Sequence, residues 1–146
     1  MSGDLPEIFR PFPPDSFAWA KSIVDRFMLN HPLLIDDPGK RDRQLRKALQ
    51  DAATIARIAE KIAGHAWKKH VVQRNEFPEI KDREQFRNLI GSILSNPSKT
   101  KSLAGGRTGY LDKKTGTVVV RDPRRRDQGT VFRPLDAERY FDKHLE

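Results

Sequence analysis

The chain has 146 residues, no cysteine and a formal net charge of +8. That length allows one ordinary domain, or a small domain with a helical appendage, and a real core. The composition excludes disulfides and thiolate metal sites. No apolar run approaches the ~20 residues of a membrane span, and "MSGDLPEIFRPFPPD" lacks the basic-then-apolar order of a cleavable signal, so neither anchor nor signal is expected.

The charge is unevenly spread. Residues 1–64 carry 10 Lys/Arg against 9 Asp/Glu, whereas residues 65–146 carry 18 against 11. A basic C-terminal part favours a polyanionic partner: nucleic acid, an acidic protein or an anionic surface.

In chain order, Pro11, Pro13 and Pro14 make the start extended. Asp15 or Ser16 can cap a helix to about Leu29, with Phe17, Ala20, Ile23, Val24 and Phe27 on one face. Pro32, Pro38 and Gly39 then mark a connection. A second helix is expected from Arg41 to Ala63, with Gly64 suited to its C-cap, although it can run on through Trp67. A third lies within "PEIKDREQFRNLIGSILSNPS", where Asp82 and Gln85 have the spacing of a capping box and Asn96-Pro97 is a stop. After Gly105-Gly106 the pattern turns to strands: "RTGYLD", "TVVVRD" across the turn "KKTG", and "GTVFRP" beyond a basic loop, "PRRRDQ". A short helix, "DAERYFDKH", closes the chain. The fold class is α+β: N-terminal helices followed by a small antiparallel sheet, organised as a helical region 1–64 and a basic α+β domain 65–146.

Among chemistries, metal catalysis has little support. His65 and His70 are five apart, which does not place both rings on one helix face, and the aspartates lack ligand-like spacing. Gly105-Gly106 is too short for a phosphate-binding fingerprint, and no serine stands in a nucleophile elbow. Acid–base chemistry on an RNA phosphodiester remains, since RNA carries its own nucleophile, the 2′-hydroxyl. Histidine can move the proton, lysine and arginine can stabilise the phosphate charge, a hydroxyl can donate to it, and aromatic rings can hold unstacked bases. "WKKH" (Trp67, Lys68, Lys69, His70) and "TVFR" (Thr130, Val131, Phe132, Arg133) contain these parts. Their bland readings are a helix-end histidine, a solvated lysine face and a core tryptophan. Strand alternation puts Thr130 and Phe132 on one face and Arg133 on the other, so on a regular strand Thr130 and Arg133 cannot both point into one pocket. Arg124 and Arg125 make a basic hairpin tip that can contact an RNA backbone.

Residues 66 to 134 resemble, in order, the nuclease domain of colicin D and related tRNA-cleaving toxin domains of contact-dependent-inhibition proteins. The resemblance is carried by "WKKH", "EF", the helix "REQFRNLIGSIL", the hairpin "GGRTGYLDKKTGTVVV" and the strand "TVFR". It implies a compact bacterial toxin ribonuclease that cleaves tRNA in the anticodon loop through the 2′-OH, without metal or cofactor, leaving a 2′,3′-cyclic phosphate. By position, His70 takes the catalytic histidine's place and Lys69, Thr130 and Arg133 those of its helpers. Phe132 takes an aromatic place. Where the family has a lysine three residues before its histidine, Trp67 stands here, so that either Lys68 substitutes or the lysine role is vacant. Trp67, Lys68, Arg107, Phe132, Arg124 and Arg125 are the expected substrate-binding residues. An acidic immunity protein as partner and action in the bacterial cytoplasm are also implied, the domain being either free-standing or the tip of a larger secreted toxin. The competing reading is a non-catalytic nucleic-acid-binding module that uses a basic β-hairpin.

Overall fold

A computed structural model of the chain describes residues 37–146. The helix expected over 15–29 and its proline-rich lead lie outside the described residues. The chain divides into two units, residues 1–56 and 57–146.

Helix α1 spans Pro38–Ala66, and its residues from Arg57 on belong to the second unit. It starts earlier than the sequence pattern implied. Proline is tolerated at the first helical position, where its missing N–H has no intrahelical partner to lose. Asp37 precedes it and accepts the Lys40 N–H through Oδ1 at 3.1 Å, the geometry of an N-cap. In the first unit Ala48, Leu49, Ala52 and Ala56 are buried.

In the second unit Ile58, Ala59, Ile62, Ala63 and Ala66 are buried at helical spacing. The chain does not stop at Gly64, whose φ is not positive. It continues from α1 as a π-helical turn, Trp67–Gln73, in which the Arg74 N–H bonds the Lys69 carbonyl at 3.0 Å. Arg74 and Asn75 then reverse the chain, with Asn75 in the left-handed region at φ 51.

Helix α2, Arg83–Ser95, begins where the Asp82 side chain accepts the Gln85 N–H at 2.8 Å. The reciprocal bond falls one residue earlier than in an ideal capping box: Gln85 Oε1 accepts the Lys81 N–H at 2.7 Å. Phe86, Ile90 and Ile93 form the buried stripe of α2.

Four strands follow as an antiparallel meander in the order β1-β2-β3-β4: β1 Lys99–Ser102, β2 Thr108–Asp112, β3 Thr117–Arg121 and β4 Gly129–Phe132. Three of these were legible. β1, "KTKS", was not, because it has no apolar residue. It is an edge strand held by its ladder to β2 and by its lysines. Lys101 Nζ donates to the carbonyls of Phe141 and Leu145 at 3.0 and 2.6 Å, and Lys99 pairs with Asp142 at 3.0 Å.

Helix α3, Ala137–Lys143, is capped by Asp136. The sheet is covered on both faces. Val118, Val120 and Leu111 pack with Leu103, Phe141 and Leu145, so α3 lies on that side. Val119 and Val131 are wholly buried on the opposite face, and α2 packs on β2 and β3. Gly109 makes the α3 packing possible, since a Cβ there would stand 2.7 Å from Leu145 Cδ2. The result is an α+β fold: helices followed by a small open antiparallel sheet.

Candidate functional site

At the outer end of β4 lies a cleft of about 540 Å³. The π turn contributes Lys69 and His70, the reversal after it Arg74 and Glu76. Strand β4 and the segment beyond it contribute Thr130, Phe132, Arg133 and Leu135, and α3 contributes Tyr140. Two stretches distant in sequence, "WKKH" and "TVFR", therefore meet at one concave surface.

His70 is only 6% exposed, yet it lines the cleft. Its Nδ1 lies 2.5 Å from Glu76 Oε2. The other oxygen, Oε1, accepts the backbone N–H of Arg133 at 3.0 Å. The turn at Asn75 makes this pairing local. It returns the chain so that the Glu76 N–H bonds the His70 carbonyl at 2.9 Å while the two side chains face each other. With Nδ1 engaged, Nε2 is the ring nitrogen left for a ligand.

Thr130 and Phe132 share the α3 face of β4, opposite Val120 and Val118. Phe132 meets Tyr140 edge-on with ring centroids 5.6 Å apart. Arg133 points to the other face. Its Nε donates to Thr117 Oγ1 at 3.0 Å, its Nη1 to the Glu76 carbonyl at 3.2 Å and to Glu79 Oε1 at 2.7 Å, and its Nη2 to Glu79 Oε2. The guanidinium also sits 4.2 Å above the Phe77 ring. Strand alternation separates Thr130 from the Arg133 guanidinium as the period of two requires. The cation expected to meet a phosphate is instead neutralised by Glu79, whose carboxyl it holds below the ordinary value.

Lys69, expected beside His70, is in the cleft; of the expected substrate-binding residues Phe132 lines it, and Trp67, Lys68, Arg107, Arg124 and Arg125 do not. Trp67 packs on Phe86, with ring centroids 5.9 Å apart, and so belongs to the core between α1 and α2. Lys68 is exposed on the π turn. Arg107 donates to the Ala104 carbonyl at 2.9 Å and to the Glu146 carbonyl at 2.5 Å, which fastens the chain end. Arg124 and Arg125 are exposed on the β3–β4 loop, where they pair with Asp122 and Asp127. Asp127 also faces His65 Nδ1 at 3.3 Å. Its carboxyl is held below the ordinary value: partial burial opposes this, and the Gly129 N–H, Arg125 and His65 outweigh the burial.

Arg74, Glu76, Leu135 and Tyr140 also line the cleft, and none of them is marked as a site residue by the sequence. Glu76 lies in "EF", six residues from His70, a separation that an ordinary helix or strand does not bring together. Tyr140 reaches the cleft only because α3 folds back over the sheet. Among the described residues, no three His, Asp or Glu side chains are grouped to hold a metal ion. No described helix is long and apolar enough to cross a membrane.

No family model, curated protein or solved structure is significantly similar to the chain.

Proposed function

We propose that the second unit is a metal-independent endoribonuclease of the bacterial toxin type, acting on an unpaired loop of tRNA in the bacterial cytoplasm. The observation that carries this reading is the His70–Glu76 pair, set in a cleft that Lys69, Arg74, Thr130 and the rings of Phe132 and Tyr140 also line. His70 Nε2 takes the proton of the 2′-hydroxyl. The 2′-oxygen attacks phosphorus, and the bond to the 5′-oxygen breaks. The leaving oxygen takes a proton from water in the open cleft, giving a 2′,3′-cyclic phosphate and a 5′-hydroxyl. Lys69 and Arg74 supply positive charge to the phosphate oxygens, and Thr130 can donate its hydroxyl hydrogen. Phe132 and Tyr140 give an unpaired base an aromatic surface. Arg133 has a different part from the one its sequence position implied: it braces the loop that carries Glu76.

The same cations would attract an acidic immunity protein, which could inhibit by covering the cleft. A second reading, RNA binding without cleavage, draws on the exposed loop at Arg124 and Arg125, outside the cleft. Incubation with total tRNA in excess chelator, followed by a denaturing gel and a native gel, separates the two. Discrete fragments ending in cyclic phosphate are the expected result. Intact RNA that shifts on the native gel would replace the enzyme reading with the binder.

A further inference from the structure

Both oxygens of Glu76 are engaged, and the two contacts differ in kind. Oε1 faces the backbone N–H of Arg133 at 3.0 Å, a group that donates in every protonation state. Oε2 faces His70 Nδ1 at 2.5 Å, an atom that donates or accepts according to where the ring carries its proton. An ionised carboxylate accepts at both oxygens. It therefore satisfies Arg133 N–H and Nδ1–H together, and it leaves the Nε2 lone pair turned away from the pair.

We infer that Glu76 is a positioning residue that fixes neutral His70 in its Nδ1–H tautomer and so makes Nε2 the proton-accepting atom. The chemistry of this inference rests on the ribonuclease reading, but the tautomer itself does not. When Nε2 takes a proton, the positive ring remains against the carboxylate. Glu76 thus supports the ring in both states that a general base passes through. Its own place is fixed by strand β4, through Arg133, so the orientation of the histidine is tied to the edge of the sheet.

Glu76→Gln turns this argument into a test. An amide has one acceptor oxygen and one donor nitrogen. The Arg133 N–H cannot change its role, so the oxygen of the glutamine must turn toward it. The amide nitrogen then faces Nδ1 and requires a lone pair there. The ring is driven to the Nε2–H tautomer, which cannot accept a proton at Nε2. Nitrogen-15 spectra of the imidazole in the full chain read the tautomer directly. The expected result is a protonated Nδ1 in the wild type and a protonated Nε2 in Glu76→Gln. Cleavage should fall on the order of 10³–10⁴-fold in the variant, the scale at which a wrong tautomer disables a catalytic histidine. Affinity for an RNA with a 2′-deoxy sugar at the cut site should change less than about threefold, since the charge lost is not one that meets phosphate.

A wild-type ring protonated on Nε2 in its neutral form overturns the inference without any variant, as does a Glu76→Gln protein with unchanged tautomer or unchanged cleavage. Full cleavage by His70→Ala would instead overturn the ribonuclease reading and leave the tautomer result standing.

Discussion

Arg133 donates from every nitrogen of its guanidinium, to Thr117, Glu76 and Glu79, and lies over Phe77. These contacts join β3, β4 and the loop after the π turn. Arg133→Ala should destabilise the protein by about 2–4 kcal/mol, because it leaves the Thr117 and Glu76 acceptors without their donor and removes an ion pair. Arg133→Lys should recover little of this, since an ammonium cannot reproduce the fork. Urea unfolding midpoints check both. A wild-type midpoint in Arg133→Ala would mean that the contacts carry no net stability. Glu79 gives the pH dependence. Its carboxyl is lowered in the folded protein, first of all by the bond to Arg133. The unfolded chain therefore binds the proton more readily at acid pH. The contribution is complete above the ordinary carboxylate value and is lost as pH falls through the lowered one. Glu79→Gln should flatten the acid limb of stability against pH. Glu79 is half exposed, so the effect is expected to be modest.

At the scale of elements, β4 depends on Gly129. Its φ is 134, and a Cβ there would lie 1.8 Å from the Val120 carbonyl oxygen. Gly129→Ala should cost about 3 kcal/mol or more, through backbone strain and displacement of β4 from β3. Because β4 holds Thr130 and, through Arg133, Glu76, cleavage should fall with stability; amide exchange across β3 and β4 would locate the damage. Much of this level is legible in the sequence. The "TVFR" alternation sorts Thr130 from Arg133, Asp82 and Gln85 mark the start of α2, and "KKTG" marks a hairpin. What is not legible depends on irregular backbone or on distant packing. The π turn has no sequence period that distinguishes it from the helix it prolongs, and it decides where His70 points. Asn75 tolerates the left-handed conformation better than most residues, but no glycine or proline beside it marks a turn. β1 carries two lysines where a strand pattern would look for apolar residues. Cation positions were the least legible, because Arg107 and Arg133 find carbonyls and carboxylates that only the tertiary fold brings to them.

For the whole molecule, the electrostatic excess lies in residues 65–146, with 18 Lys/Arg against 11 Asp/Glu. Several of these cations are already paired, Lys99, Lys113, Arg125 and Arg133 among them. The number free to meet phosphate is smaller than the composition implies. RNA affinity should fall as salt rises, with a slope set by the contacts made by Lys69, Arg74 and the β3–β4 loop rather than by net charge. Lys69→Ala should lower that slope by about one contact, as measured by titrating labelled tRNA at several salt concentrations; an unchanged slope would place Lys69 off the phosphate path.

The most direct measurement compares wild-type protein and His70→Ala on one tRNA in excess chelator, by the rate of cleavage at a single bond, with thermal unfolding used to establish that the variant is folded. The account predicts rapid scission with a cyclic phosphate end by the wild type and a loss of at least about 10³-fold in the folded variant. Equal rates from the two proteins would contradict it.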